Sequence, residues 1–318
     1  MPKDTIFSLI KNLKDGKSLE IKEKMQRIAD FSTNLLIFGE TGVGKDFWVD
    51  YLFEVSKYEK MVNLNCGDVP EHLLESEWFG YKKGAFTGAD RDYEGRWKRA
   101  HQGILFLNQV DLLSLNLQSK LLRIIERKKY FPLGSNREID IDVRFIFSAD
   151  ADIEHKVRQG EFRQDLYYRM SSYSVFIPAL RDRKKDILPL INFFAGGKQL
   201  AVDLSKKAVR MLLDYPWRGN IREVENFVTN ISIVKQELRD EDVYGLLKTA
   251  GDFLEAVKTT EMSLAGLEWA YIEYLLRKYK KKSVVAKILD ISRKSLYDRI
   301  KRHTPPAGSR GSAAKVSV

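Results

Sequence analysis

The sequence has a single cysteine, Cys66, among its 318 residues, so no internal disulfide can form. It also lacks any apolar run near the roughly 18 residues that a membrane-spanning helix needs. The N-terminus has no apolar core typical of a secretory signal. These absences exclude a disulfide scaffold and a membrane partner, and they predict a cytoplasmic protein in a reducing compartment.

Acidic residues are few at the C-terminal end, where basic residues accumulate. The formal net charge is +10, and 11 Lys or Arg residues stand against 3 Asp or Glu residues between positions 271 and 303. Arg310 and Lys315 add two more positive charges, so residues 1–270 are neutral overall. A positive field confined to one small segment predicts a polyanionic partner, DNA first, although a solvated basic helix has the same composition.

Short apolar runs alternate with helical patterns in the first part of the chain. The runs that are as long as a buried strand lie at 35–38, 61–64, 104–107 and 143–147. Helical patterns at 46–56 and 117–126 lie between them, and this alternation predicts an α/β fold with a parallel sheet. From about residue 186 onward the pattern is helical, which predicts a helical lid.

Composition and pattern divide the chain into a weakly structured lead-in, an α/β part, a lid, a linker, a basic helical domain and a disordered tail. Their predicted bounds are, in that order, 1–18, 19–185, 186–247, 248–262, 263–303 and 304–318. The tail is rich in Pro, Gly, Ser and Ala, a composition that cannot form a packed core.

A glycine-rich segment follows the first apolar run and precedes a helical pattern. It reads Gly39-Glu40-Thr41-Gly42-Val43-Gly44-Lys45. This context is typical of a P-loop, whose backbone N–H groups hold phosphates while the lysine neutralises their charge. The segment predicts ATP as a cofactor, together with Mg²⁺. Asp46 replaces the usual Ser or Thr that helps to hold Mg²⁺, so Asp46 is itself a candidate metal ligand.

A second glycine-rich segment, Gly84-Ala85-Phe86-Thr87-Gly88-Ala89, resembles the signature hexapeptide of the sigma-54 activator family within the AAA+ proteins. Segments 63–66, 162–169 and 215–223 also resemble that family, and the similarity extends from about residue 20 to residue 303. The resemblance implies an AAA+ P-loop domain with a helical lid, followed by an all-α, Fis-type helix-turn-helix domain, in a member without an N-terminal sensor domain. It further implies sigma-54 RNA polymerase and upstream DNA as partners, and a homo-oligomeric ring such as a hexamer.

The residues of the hexapeptide agree with that role. Two glycines and two alanines flank Phe86 and Thr87, so the segment cannot hold a stable helix and exposes an aromatic side chain. An exposed phenylalanine on a loop is typical of a binding surface, and all six residues are predicted to contact the sigma factor. A buried hairpin turn is the alternative. A second loop, at 133–137, is predicted to support the first.

The resemblance assigns roles to four further residues. Arg163 and Arg169 match the arginine fingers that reach a nucleotide bound by the neighbouring subunit. Arg222 matches the lid arginine that senses nucleotide within its own subunit. Asn65 matches a switch residue that pairs with the catalytic carboxylate in relatives. A surface salt bridge is the alternative role for each arginine.

The match fails where relatives carry the catalytic Asp-Glu pair of the Walker B motif. Asn108 and Gln109 occupy these positions, and neither amide has a charge or can draw a proton from water. General-base assistance is worth about 10²–10⁴ in rate, so weak or absent hydrolysis is expected. Asn108 remains a candidate metal ligand through a bound water.

A second departure follows the last of the four runs. Relatives carry Thr-Asn there as a γ-phosphate sensor, whereas this chain has Ala149 and Asp150. Asp150 is therefore counted among the candidate catalytic residues. Near a γ-phosphate its carboxylate would repel the phosphate unless a metal ion or an arginine screens the charge. A displaced metal ligand supplied by Asp150 or Asp111 is the alternative. Because two sites have changed, natural divergence is favoured over an engineered trap.

Residues 283–301 are predicted to form a helix, a turn and a second helix. Val285 and Leu289 share an apolar face of the first helix, Ser292 is a good N-cap for the second, and Leu296 lies on its inner face. The outward face is predicted to contact DNA as a recognition helix does, through Arg293, Lys294, Ser295, Tyr297, Asp298 and Lys301. A generic basic helical hairpin is the alternative.

Two hypotheses for the whole chain follow. The leading one is a sigma-54-dependent regulator that binds ATP and upstream DNA and contacts the polymerase, with impaired hydrolysis. The competing one is a non-catalytic DNA-binding regulator, or a subunit of a mixed ring with an active relative. The hexapeptide favours the first, and Asn108 with Gln109 favours the second. A different AAA+ remodeller, such as a replication initiator, has no need of the hexapeptide.

Overall fold

The computed structural model describes residues 3–67, 70–243, 272, 275–276, 282–289 and 291–303. They belong to two compact units, Met1–Asp240 and Glu241–Val318. The predicted linker at 248–262 and the predicted tail at 304–318 lie outside the described residues. Within the described part, every helix is too short or too polar to cross a membrane.

A parallel sheet forms the centre of the first unit. The strands of this unit are β1 (Leu35–Phe38), β2 (Met61–Asn65), β3 (Gly103–Asn108), β4 (Lys129–Tyr130), β5 (Ile139–Asp140), β6 (Val143–Ala149), β7 (Tyr173–Phe176), β8 (Ala201–Val202) and β9 (Glu237–Leu238). Five of them form the sheet in the order β2-β3-β6-β1-β7, with every pairing parallel. The expected α/β fold with a parallel sheet is confirmed.

Burial explains which strands could be predicted from the sequence. The first five residues of β3 are buried, and β6 is buried throughout, as is typical of parallel strands covered on both faces. The four predicted runs lie in β1, β2, β3 and β6. The edge strand β7 is absent from the prediction because Val175 is its one buried residue, so it has no apolar run.

The helices of the α/β part are α1 (Lys3–Asn12), α2 (Gly16–Ile28), α3 (Lys45–Val55), α4 (Glu71–Phe79), α5 (Gly95–Arg99), α6 (Leu115–Arg127), α7 (Ile153–Gln159) and α8 (Gln164–Met170). The predicted lid is helical and consists of α9 (Ile187–Gly197), α10 (Lys206–Asp214) and α11 (Asn220–Val234). Short 3-10 turns lie at Val110–Leu112, Leu180–Asp182 and Lys184–Asp186.

The prediction of a weakly structured lead-in is wrong for α1. Leu9 and Ile10 are buried, and the ring of Phe7 meets the edge of Tyr51 on α3 at a centroid distance of 5.6 Å. An isolated helix as short as α1 is marginal in water, so its contact with α3 stabilises it. The sequence of the segment alone does not reveal that contact.

The second unit contains α12 (Lys282–Ile288) and α13 (Arg293–His303). Val285 and Leu296 are buried in a small cluster that joins the two helices. The hydroxyl of Ser292 accepts a hydrogen bond from the backbone N–H of Ser295 at 3.1 Å, as an N-cap does. Two helices therefore lie within the segment where the sequence predicts them.

Candidate functional site

The glycine-rich segment forms a tight loop between β1 and α3. Gly42 has φ +80°, and a Cβ atom at this position would lie 2.4 Å from the carbonyl oxygen of Gly219 in the lid. The left-handed conformation and the close approach both require glycine. Gly44, with φ +93°, is the residue from which α3 begins. The loop and the helix N-terminus thus have the geometry that holds phosphates.

Lys45 bends back over this loop. Its Nζ donates to the carbonyl oxygen of Gly39 at 2.6 Å and to that of Glu40 at 3.3 Å. Burial lowers the pKa of Lys45, while the nearby carboxylates of Asp150 and Asp111 act in the opposite direction. The ammonium group is therefore held against the carbonyl oxygens of its own loop.

The lid is hydrogen-bonded to the loop. Arg181 donates to both carboxylate oxygens of Glu40, at 2.9 and 2.5 Å, and holds the pKa of Glu40 below its usual value. The buried Asn220 donates to Glu40 at 3.2 Å and to the carbonyl of Thr41 at 3.0 Å. The sequence assigned no role to Arg181 or Asn220, although a positive φ of 55° at Asn220 marks a constrained position.

A cavity of about 570 Å³ lies beside the loop, within the size range of small-molecule sites. Three parts of the fold line it: the P-loop and the start of α3, the carboxyl ends of the sheet strands, and the lid. Sequence-predicted residues in its wall are Thr41, Gly42, Gly44, Lys45, Asp46, Asn108, Gln109, Asp150 and Arg222. The fold therefore brings most of the predicted nucleotide-binding residues together.

Asn108 is engaged on both sides of its amide. Its Nδ2 donates to Asp46 at 3.1 Å, and its Oδ1 accepts a hydrogen bond from the hydroxyl of Ser148 on β6. The backbone N–H of Gln109 donates to the same hydroxyl at 3.1 Å. Asn65 pairs in register with Asn108 across β2 and β3, so the predicted switch residue lies at the same edge of the sheet.

A chain of polar contacts extends from the P-loop across the strand ends. The hydroxyl of Thr41 donates to Asp150 at 3.1 Å, and the backbone N–H of Asp150 donates to Asp111 at 3.2 Å. Asp111 then accepts from Lys156 at 2.8 Å. The sequence missed Lys156, because it lies 45 residues from Asp111 and belongs to no recognisable motif.

The donor set bears on whether Mg²⁺ fits. No group of three or more His, Cys, Asp or Glu residues in the described ranges is arranged to hold a metal ion. Asp46 faces the cavity, and the surrounding protein raises its pKa by desolvation, while Lys45 and Arg222 oppose that effect. Both oxygens of Asp111 are already engaged, which argues against Asp111 as a displaced ligand. Mg²⁺ commonly uses one or two carboxylates plus phosphates and water, so Asp46 fits that requirement.

The hexapeptide forms an exposed loop. The N–H of Gly84 donates to the carbonyl of Ala89 at 2.9 Å and closes it. Phe86 is 46% exposed, and its ring meets the edge of Tyr81 at 4.9 Å. Thr87 is also exposed, whereas Ala89 is buried and faces inward. The aromatic side chain is therefore presented to solvent.

The second predicted loop packs directly on the hexapeptide. A Cβ atom at Gly134 would lie 2.7 Å from the Cβ of Ala85, so the two loops touch at this point. The backbone of Leu133 donates to Gly80 at 2.9 Å and accepts from Lys82 at 3.0 Å. These contacts support the base of the hexapeptide loop.

The two candidate arginine fingers lie on the surface, and neither lines the cavity. Arg163 donates to both oxygens of Asp165, at 3.0 and 2.7 Å, and to the hydroxyl of Ser119 at 3.2 Å. The backbone N–H of Arg163 donates to the buried amide of Gln118 at 2.8 Å. Arg163 and Arg169 are thus exposed, and Arg163 forms a surface ion pair, the alternative role that the sequence predicts, whereas Arg222 lines the cavity of its own chain.

The outward face of α13 agrees in part with the prediction. Arg293, Lys294 and Tyr297 are exposed, and the Nζ of Lys282 lies 4.6 Å from the centre of the Tyr297 ring. Ser295 is half-buried and accepts a hydrogen bond from Arg299 at 2.5 Å, so it does not face outward freely. The side chains of Asp298 and Lys301 lie outside the described residues.

Most of the chain matches known protein families. Residues 12–176 match the sigma-54 interaction domain, and residues 181–246 match the AAA+ ATPase lid domain. A crystal structure of NtrX from Brucella abortus in complex with ATP has a TM-score of 0.66 at 25% identity, and the match covers 91% of this chain and 68% of that one.

Curated relatives are similar in sequence. The acetoin dehydrogenase operon transcriptional activator AcoR of Bacillus subtilis is 34% identical over 92% of this chain and 51% of its own length. The transcriptional regulatory protein FlgR of Helicobacter pylori is 36% identical over 71% of this chain and 61% of its own length. An uncharacterized protein in the HyuA 5' region of Pseudomonas sp. strain NS671 is 36% identical over 78% of this chain and 85% of its own length. This chain therefore spans about half of AcoR and three fifths of FlgR.

The close approach at Gly42 predicts a specific loss of stability. Gly42→Ala must displace the lid backbone as well as adopt a left-handed conformation, whereas Gly160→Ala, at φ +76° with open space around it, meets only the second demand. The left-handed conformation costs about 1–2 kcal/mol. We expect Gly42→Ala to lower the free energy of unfolding by clearly more than Gly160→Ala in urea titrations followed by circular dichroism. Equal decreases would show that the lid yields freely to the added methyl group.

Proposed function

Because this chain belongs to the sigma-54 interaction domain family and carries an AAA+ lid, we propose that it is a sigma-54-dependent transcriptional regulator that binds ATP and upstream DNA. In this proposal the loop at 84–89 contacts sigma-54 RNA polymerase, and hydrolysis of ATP is impaired. One observation carries the proposal: a single compact unit combines a P-loop cavity with an exposed Phe86 on a glycine-bounded loop.

The P-loop geometry supports nucleotide binding. The two hydrogen bonds from Lys45 to its own loop would be exchanged for bonds to phosphate oxygens. Arg222 adds positive charge from the lid side of the same cavity. Asp46 would hold Mg²⁺ together with the phosphates and water. The bound nucleotide and its metal supply the phosphoanhydride and the charge neutralisation that phosphoryl transfer needs.

The ends of β3 and β6 support impaired hydrolysis. The side-chain oxygen of Asn108 accepts from Ser148, and its amino group donates to Asp46. Because an amide is not basic, Asn108 also has no atom that can draw a proton from water. Gln109 is equally unable to accept a proton at neutral pH. Asp150 is the carboxylate that follows β6, and its two oxygens already accept hydrogen bonds from the hydroxyl of Thr41 and from the backbone N–H of Ala151.

The same observations favour a second candidate function, a non-catalytic subunit in a mixed ring with an active relative. Such a subunit needs only to bind nucleotide and to present its arginines to the neighbouring site. Arg163 and Arg169 are exposed and lie outside their own cavity, as this role requires. A homo-oligomeric ring uses the same surface, and hydrolysis is weak in both candidates. Ring assembly by the isolated chain with ATP, measured by light scattering, therefore distinguishes the two.

The second unit supports DNA binding. Residues 271–303 carry most of the net positive charge, and α13 presents Arg293 and Lys294 to solvent. Positive side chains on an exposed helix neutralise phosphates, and such binding weakens steeply as salt rises. We propose that the basic domain at 263–303 binds an inverted-repeat site upstream of the target promoter.

We expect the pure chain at high concentration to release phosphate far more slowly than about one per second, the lower end of common turnover numbers. Asn108→Asp combined with Gln109→Glu should raise the rate by about 10²–10⁴, because a general base is regained. Lys45→Ala is the control for contaminating activity. A wild-type rate near about one per second that Lys45→Ala abolishes would contradict impaired hydrolysis.

The sigma-54 contact is tested by binding purified sigma-54 to the full chain in the presence of ATP, measured by fluorescence anisotropy. Phe86→Ala should weaken binding by roughly 30-fold, the effect of removing a central aromatic anchor. Phe31→Ala is the matched control, because Phe31 is also exposed, at 62%, but lies in a different loop. Equal affinity of the Phe86 variant and the wild type would remove the loop from the proposed interface.

DNA binding is tested by gel shift on the upstream regions of the source genome, over a range of salt concentrations. Arg293→Ala with Lys294→Ala should weaken binding and reduce the slope of log affinity against log salt by about one for each phosphate that is no longer neutralised. Lys24→Ala, an exposed lysine of the first unit, should leave binding unchanged. Unaltered binding after deletion of residues 263–318 would refute the assignment.

A further inference from the structure

Lys156 is a cation of the cavity that no motif predicts. It lies on α7, directly after the turn that follows β6, and its side chain is 19% exposed. It lines the same cavity as Lys45 and Arg222. Its Nζ lies 2.8 Å from Asp111, whose side chain is only 4% exposed. Burial disfavours the charged ammonium, yet the hydrogen bond and ion pair with Asp111 raise the pKa of Lys156 above its ordinary value.

The position of Lys156 along the cavity follows from its neighbours. Asp150 and Asp111 line the cavity with Lys45, and the P-loop residue Thr41 donates to Asp150, whose backbone N–H donates to Asp111. Since a P-loop lysine reaches the β- and γ-phosphates, we place these two carboxylates at the terminal-phosphate end of the cavity. Lys156 is bonded to one of them and is therefore at that end as well.

The negative charge of the cavity requires a further cation beside a bound phosphate, and Lys156 supplies one. Asp46, Asp111, Asp150 and Asp152 all line the cavity, so a bound triphosphate enters a field of carboxylates. Lys45 alone cannot offset them, and Arg222 belongs to the lid side. Lys156 has three N–H donors, and its hydrogen bonds in the structure are to Asp111, through the carboxylate and the carbonyl. It can therefore donate to a phosphate without leaving Asp111 unpaired.

We infer that Lys156 is a triphosphate-selective contact: held by Asp111, it donates to the terminal phosphate of a bound nucleoside triphosphate and so distinguishes ATP from ADP. This inference rests on the proposed function, since it requires that the cavity binds nucleotide. It gives Asp111 the part of a positioning residue, which fixes Lys156 while its other oxygen holds the backbone of Asp150. Lys156 thus takes the place of the uncharged γ-phosphate sensor that relatives carry before it in the sequence.

The backbone of Lys156 links this contact to the arginine surface. Its carbonyl oxygen accepts from the N–H of Glu161 at 3.0 Å and from that of Phe162 at 3.2 Å. Arg163 is the next residue, and its own N–H is held by Gln118. The backbone of α7 is therefore hydrogen-bonded directly to the segment that precedes Arg163.

The test is calorimetric titration of the full chain with ATP and with ADP, each with Mg²⁺. Lys156→Met should weaken ATP binding by about tenfold or more, the effect of removing a charge-assisted hydrogen bond, and leave ADP binding unchanged. Because that variant leaves a buried carboxylate unpaired, the same substitution is also made in an Asp111→Asn background, where the amide still accepts from Asp150. Compared with the wild type, the double variant should show the same selective weakening of ATP binding.

Controls separate this role from a structural one. Lys184→Met removes a lysine that also pairs with an aspartate at 2.9 Å but does not line the cavity, and it should leave both affinities unchanged. Equal weakening of ATP and ADP by Lys156→Met in the Asp111→Asn background, or no weakening, overturns the inference and leaves the proposed function standing. Failure of the wild type to bind either nucleotide overturns both.

Discussion

The parallel register of β1, β3 and β6 determines where every candidate phosphate-binding group lies. Phe38 pairs with Ala149 and Leu107 pairs with Phe147, so the three strands end at one edge of the sheet. Because all strands of a parallel sheet point the same way, the P-loop, Asn108 and Asp150 converge there although they are far apart in the sequence. The lid then closes on that edge through Asn220 and Arg181.

At this edge the P-loop and the strand ends line one cavity, in which the charged side chains are unevenly placed. The end of β3 is neutral, and Asn108 is fixed by Asp46 on one side and Ser148 on the other. The carboxylates lie instead at Asp150 and Asp111, each held by hydrogen bonds to the protein. On the proposed function, affinity and catalysis are thereby separated: cations remain to bind phosphate, but amides stand at the end of β3 where relatives carry the carboxylates that activate water.

The sequence predicts what depends on local pattern and misses what depends on contacts between distant segments. Continuous apolar runs revealed β1, β2, β3 and β6, and glycine spacing revealed the phosphate loop. The pairing of Asp111 with Lys156 was hidden, because it joins residues 45 positions apart that become neighbours only when β3 and β6 align. The contact of Arg181 with Glu40 was hidden for the same reason. Helix α1 was missed because packing stabilises it, not its own sequence.

The amide of Asn108, bonded on both sides, has a consequence for timing. A nucleotide that is not cleaved leaves only by dissociation, so the lifetime of the loaded state is set by an off-rate and not by a chemical step. On the proposed function, such a subunit does not convert its bound triphosphate to diphosphate after each binding event. It comes to equilibrium with the nucleotides in solution. The fraction of subunits that hold triphosphate therefore follows the ratio of triphosphate to diphosphate concentrations in the cell.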